Sequence, residues 1–373
     1  MLATDISSLR SCEASSSSTQ GLLEAPQCPG RFLEFHAPAA PKVQGGGPRD
    51  TAYAQGMDSR TRAVVAIVCA AVVASTMAAS AGSSRVAAPI LESNRSGTVR
   101  FGMAKLSSAL AFRLRLFRFV DRSRTILLPD GRRVARLLET VVRYPEAGDA
   151  YPLVVFGHGF ALTPARYARL LGAWTEAGYV VAAPVFPLGN AGAPGGPNES
   201  DLINQPKDMS FVITRLLALN ARANNVLYEK IDSSRIAVAG HSDGAETALA
   251  VAYDHRFRDP RVGGAIVLSG AALPGMGPFP RSGPPLLAVQ GTADTINAPA
   301  TSAGFYRLAR RPKFLLWLLG ASHLPPYTDQ QPQLGIVERA TTAFLDHYLK
   351  GRPLRAFDQA AQRPGLTRLA ADP

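Results

Sequence analysis

From about residue 124 onwards the apolar positions of this chain fall into short uninterrupted runs. The segments 153–156, 179–184, 235–239, 264–269, 285–290 and 314–319 are each almost wholly apolar, without the alternation of a half-exposed strand. Runs of this length, bounded by turn residues, are read as strands buried on both faces, as in a parallel sheet. Between them lie stretches with helical character at 164–177, 208–219, 245–252 and 335–349, the first closed by Gly178. Ahead of them, 125–128 and 136–144 flank Asp130-Gly131, which predicts a hairpin. Strands alternating with helices predict an α/β fold: a mostly parallel central sheet, an N-terminal antiparallel hairpin and helices on both faces. Only 271–284 separates two of the strands, so no large cap domain is expected. The domain is placed at 124–350, and the Arg/Pro/Ala-rich tail at 351–373 is expected to dock loosely.

The N-terminal part has a different texture. Residues 1–56 are rich in Ser, Pro, Gly and Ala and predict a disordered extension. Met57 is followed by Arg60 and Arg62, then by an uncharged, Ala/Val-rich run ending in Ala79-Ser80-Ala81. A positive start, an apolar middle and a small-residue end predict a secretory signal over 57–81, cleaved after Ala81. Met57 is then the natural start, and the product is secreted or associated with the cell envelope. The alternative is a signal anchor, for which the run is short and alanine-rich. Residues 82–123 read as a linker carrying a basic amphipathic segment. In it Arg113, Arg115, Arg118, Arg122 and Arg124 interleave with Phe112, Leu114, Leu116, Phe117 and Phe119. That segment suits either an acidic membrane surface or a helix packed on the domain.

Composition narrows the function classes. Hydrophobic residues at 46% and charged residues at 18% suit a full hydrophobic core. The net charge of +12 is mostly arginine spread along the chain, without a nucleic-acid-binding module, so no nucleic-acid partner is expected. Cys12, Cys28 and Cys69 all precede the domain, which therefore has no disulfide to staple it and no zinc-type spacing. A monomer without metal or cofactor is expected.

The chemistry concentrates in Gly240-His241-Ser242-Asp243-Gly244, between the 235–239 strand and the 245–252 helix. By itself this pentapeptide is equally an ordinary strand-to-helix turn with Ser242 as N-cap. In this context it reads as a nucleophile elbow, a sharp turn that lifts a serine clear of the sheet. A serine hydroxyl needs a base, and the base needs an orienting acid. In a parallel sheet such groups gather where the strands end. Asp294 follows the 285–290 strand and His323 follows the 314–319 strand, giving the chain order Ser, Asp, His. The oxyanion needs two N–H donors, expected from Asp243 and from Phe160 in the loop His158-Gly159-Phe160. His158 is expected to brace that loop. Leu273, Met276 and Phe279, with the 190–197 loop, are expected to rim the substrate site, and His241 to take part in substrate binding.

The segments Phe156-Gly157-His158-Gly159-Phe160, Gly240–Gly244, Gly291-Thr292-Ala293-Asp294-Thr295 and Ala321-Ser322-His323 resemble, in this order, those of the α/β-hydrolase superfamily. Within it, residues 124–350 are similar to the dienelactone-hydrolase-like, chlorophyllase- and cutinase-like bacterial serine esterases. The resemblance implies Ser242 as nucleophile, His323 as base, Asp294 as its orienter, and Phe160 and Asp243 as oxyanion donors. It implies ester hydrolysis without a cofactor, and the open, apolar rim expected around the site suggests an apolar acyl or polymeric ester as substrate. The chain departs from the pattern at Asp243, where such proteins often carry Met, Gln, Arg or Phe, and at Ala245, where they often carry Gly. A lipase or polyester hydrolase would use the same triad. A non-catalytic binding protein on the same scaffold is the alternative of another class.

Overall fold

The computed structural model describes residues 109–373 in full. Before them it describes only the backbone of a two-residue antiparallel pairing, Leu91–Glu92 with Arg100–Phe101. The expected extension at 1–56, the signal segment at 57–81, the three cysteines and most of the expected linker lie outside the described residues.

The main body is a nine-stranded sheet. In chain order its strands are β1 (Phe112–Leu127), β2 (Arg133–Pro145), β3 (Tyr151–Gly157), β4 (Val180–Pro184), β5 (Ile231–His241), β6 (Val262–Leu268), β7 (Leu286–Gly291), β8 (Lys313–Leu318) and β9 (Thr367–Asp372). Across the sheet they run β9-β8-β7-β6-β5-β3-β4-β2-β1. The six from β3 to β8 are parallel; β1, β2 and β9 are antiparallel to their neighbours. The parallel strands are buried on both faces, as their unbroken apolar runs require. One face is covered by α2 (Gln205–Asn220), α3 (Asp243–Tyr253) and α4 (Pro299–Leu308). The other is covered by α1 (Ala168–Glu176), α5 (Gln333–Lys350) and α6 (Arg355–Ala361). Residues 269–285 join β6 to β7 without a helix.

Two expectations need correction. The basic amphipathic segment is neither linker nor helix. It is the first part of β1, a 16-residue edge strand paired with β2 from Phe112 to Leu127. Its periodicity is two: Phe117 and Phe119 pack on the core, while Leu114, Leu116 and Val120 stand on the other side, exposed. The tail does not dock loosely either. Phe357 of α6 is buried against Phe314 and Phe344, and β9 pairs with β8 along its whole length. That pairing removes the exposed edge that β8 would otherwise present.

The sheet order reverses direction between β3 and β5. From β3 the chain winds outward to β4, and from β5 it winds the other way to β6, β7 and β8. Such a switch opens a crevice beyond the carboxyl ends of the two strands. The segments His158-Gly159-Phe160 and Ser242 lie at those ends.

Candidate active site

Ser242 caps α3 with φ 55° and ψ −123°, a conformation that L-residues seldom adopt. It is held there by close packing of three glycines. A Cβ on Gly240 would overlap the Gly244 carbonyl, and a Cβ on Gly244 would overlap the Gly157 carbonyl of β3. Only glycine lets strand and helix approach so closely. The Ser242 N–H donates to the Leu268 carbonyl at 3.0 Å, and its own carbonyl accepts from Ala245 and Glu246 as α3 begins.

The hydroxyl of Ser242 lies 3.0 Å from His323 Nε2, and His323 Nδ1 lies 2.8 Å from Asp294 Oδ2. Asp294 is buried, and its other oxygen accepts the N–H groups of Ile296 (2.9 Å) and Asn297 (3.0 Å). Gln290 Nε2 adds a bond to Oδ2 at 3.0 Å, its amide oriented by Ser302. Burial alone would raise the Asp294 carboxyl, but the His323 ring, the Ser269 hydroxyl and the Ile296 N–H outweigh it and hold it below the usual carboxylate value. An ionised acid keeps the imidazole in the tautomer whose Nε2 can accept the serine proton.

The loop after β3 supplies N–H groups. That of Gly159 donates to the Tyr167 hydroxyl at 3.2 Å, that of Ala161 to the Gly189 carbonyl at 2.9 Å and that of Leu162 to the Gly159 carbonyl at 3.2 Å. Among the described residues no other residue takes up the N–H of Phe160 or of Asp243. His158 braces this loop: Nε2 accepts the Phe186 N–H at 3.0 Å, so Nδ1–H donates to the Gly159 carbonyl at 2.9 Å. Burial lowers its pKa to about 4, which keeps it neutral.

His241 is not a substrate-binding side chain. It is 0% exposed, and both ring nitrogens are engaged. Nε2–H donates to the His323 backbone carbonyl at 2.9 Å, so Nδ1 accepts from the Tyr167 hydroxyl at 2.8 Å. The ring also stacks obliquely on His323, centroids 4.7 Å apart. Burial first, then the neighbouring His323, lowers its pKa to about 3. A continuous strut thus runs from the Gly159 N–H through Tyr167 and His241 to the loop that carries the base. Tyr167 gives no sign of this role in the sequence, because an apolar-lined helix start looks the same with or without it.

Leu273, Met276 and Phe279 do not rim the serine. Leu273 is 2% exposed and packs with Leu202 and Ala250, as does Met276; Phe279 packs on Tyr253. Ala250 and Tyr253 lie eight and eleven residues beyond Ser242, about 12 and 16 Å along α3 at ~1.5 Å per residue. The loop descends the flank of the helix to reach β7. Exposed apolar side chains include Phe160, in the loop after β3, and Ile296, two residues beyond Asp294. The 190–197 loop starts against the loop after β3: Leu162 pairs with Asn190, Ala161 bonds Gly189, and Asn190 binds the carbonyls of Phe186 and Pro187 and the N–H of Gly192.

A family model described as Chlorophyllase matches residues 134–304. The chain has an α/β-hydrolase fold, and over these residues it is similar to the chlorophyllase family. It is 27% identical over 161 residues to Chlorophyllase-1 of Arabidopsis thaliana, 43% of this chain and 47% of that protein. It therefore spans about half the length of the curated relative. The family match includes Ser242 and Asp294 and stops before His323.

Proposed function

We propose that this protein is a serine carboxylic-ester hydrolase, with Ser242, His323 and Asp294 as its triad and Phe160 and Asp243 as oxyanion donors. The observation that carries the reading is the unbroken sequence Ser242 Oγ, His323 Nε2, His323 Nδ1, Asp294 Oδ2, at 3.0 and 2.8 Å, beside two N–H groups that no other described residue takes up. Ser242 Oγ attacks the ester carbonyl as His323 Nε2 takes its proton. The oxyanion of the tetrahedral intermediate is held by the two N–H groups, aided by the start of α3. His323 returns the proton to the leaving alcohol, and the acyl group stays on Ser242. Water, deprotonated by the same imidazole, then releases the acid. No step calls for a metal or cofactor.

Phe160 and Ile296, both exposed, favour esters with an apolar acyl or alkyl part. The name of the plant relative points to chlorophyll, and lipid or polymeric esters are the neighbouring substrate classes. A series of p-nitrophenyl esters of increasing chain length is the test. Turnover is expected with the purified protein and is expected to fall about 1,000-fold or more in Ser242→Ala. Equal turnover by that variant would contradict the reading.

A further inference from the structure

We propose that Gln290 is a positioning residue of the triad: its buried side-chain amide holds the Asp294 carboxylate in the orientation that the His323 ring requires. The inference rests on the hydrolase reading above and names a further side chain on which the same site depends.

β7 is Leu286-Leu287-Ala288-Val289-Gln290-Gly291, buried throughout, with one polar side chain in an apolar run. Gln290 is 0% exposed and pairs with Trp317 of β8. A buried amide is costly unless its hydrogen-bonding groups find partners. Here they do. Nε2 donates to Asp294 Oδ2 at 3.0 Å and to the Asn297 carbonyl at 3.0 Å, with the Gly291 carbonyl at 3.2 Å; Oε1 accepts from the Ser302 hydroxyl at 2.7 Å. Acceptors surround one end of the amide and a donor meets the other, so a single orientation satisfies it. Packing alone would be served by leucine or methionine at this place in the strand. What the amide adds is its hold on the acid.

That hold falls on the oxygen that faces the base. Oδ2 accepts from both His323 Nδ1 and Gln290 Nε2, while Oδ1 accepts from the Ile296 and Asn297 N–H groups. Gln290 thus helps to set where Oδ2 stands relative to the imidazole, and a carboxylate free to turn would let the ring turn with it. Gln290 also closes the turn that carries the acid. Its bond to the Asn297 carbonyl joins the strand end to the far side of that turn, and Asn297 Nδ2 ties the turn to the Ser269 carbonyl at the end of β6, at 2.7 Å. Ser302 lies in the first turn of α4 and orients the amide from there, so the start of α4 is coupled to the acid through Gln290.

The test is a double-mutant cycle on turnover of a short p-nitrophenyl ester. Gln290→Met keeps an unbranched side chain of similar length and removes the amide. It is expected to lower kcat about tenfold with KM within about twofold, since orientation of the base is lost and substrate contacts are not. In an Asp294→Ala background the same substitution is expected to change kcat by less than about twofold, because the carboxylate through which it acts is gone. Ser302→Ala should show the same dependence on Asp294 with a smaller fall, and it stands in for the cycle if Gln290→Met does not fold. A purely structural role predicts equal falls in both backgrounds. That result would overturn the proposal, as would an unchanged kcat in folded Gln290→Met, or in Ser302→Ala where it stands in, while Ser242-dependent turnover leaves the hydrolase reading standing. Failure of the wild-type protein to turn over any ester, with no label on Ser242 from a neutral fluorophosphonate, would overturn both.

Discussion

Ser242 is restrained in a backbone conformation that costs of order 1–3 kcal/mol and persists only because its surroundings fix it. The glycines at 157, 240 and 244 supply the close approach, and the loop of His323 is held from below by His241 and Tyr167. His241 therefore acts through His323. Replacing it with phenylalanine keeps the ring volume but leaves the His323 carbonyl and the Tyr167 hydroxyl without their partners. In His241→Phe, kcat is expected to fall about 10- to 100-fold with KM within about twofold, because alignment of the base is lost and substrate contacts are not. Steady-state kinetics on a short ester decide this. A raised KM with unchanged kcat would instead place His241 in substrate binding. The buried ring belongs to the same five residues that revealed the nucleophile, and what the sequence hid was its direction. A histidine next to a catalytic serine reads as exposed unless the partners of both its nitrogens are known.

At the scale of elements, the wall beside the site hangs on one buried arginine. Arg136 of β2 donates to Asp201 at 2.9 and 2.6 Å and to Asp208 at 2.6 Å through two nitrogens. Arg124 of β1 joins from the edge strand, reaching Asp121, Asp208 and the Asn204 carbonyl. Burial raises the Asp208 carboxyl more than its two arginines lower it, so the aspartate depends on both. Arg136→Met would leave two buried carboxylates short of their partner. It is expected to destabilise the fold by about 3–5 kcal/mol in urea unfolding near neutral pH, where under 1 kcal/mol would contradict the account. The parallel strands were legible in sequence because each is buried on both faces and reads as an unbroken apolar run. β1 was not, since its arginines and leucines alternate on an edge strand with one solvated face, a pattern shared with surface helices. β9 and α6 were missed because a short strand with intermediate exposure and a seven-residue helix carry little periodicity, and Phe357 alone announces their burial. The loop at 271–284 was misplaced for another reason: connectivity says that it leaves the site's end of the sheet, and only the fold shows how soon it descends.

For the whole molecule, the strand order decides where chemistry can happen. The reversal between β3 and β5 sets the His158–Phe160 loop beside Ser242, and β7 and β8 bring Asp294 and His323 to the same end of the sheet. The central claim is that this assembly makes Ser242 a nucleophile. Treatment with a fluorophosphonate probe, followed by peptide mass spectrometry, tests it most directly. The account predicts one covalent adduct, on Ser242, formed far more slowly when His323 is replaced by alanine. An unlabelled Ser242 in the folded wild-type protein, or labelling at the same rate without His323, would contradict it.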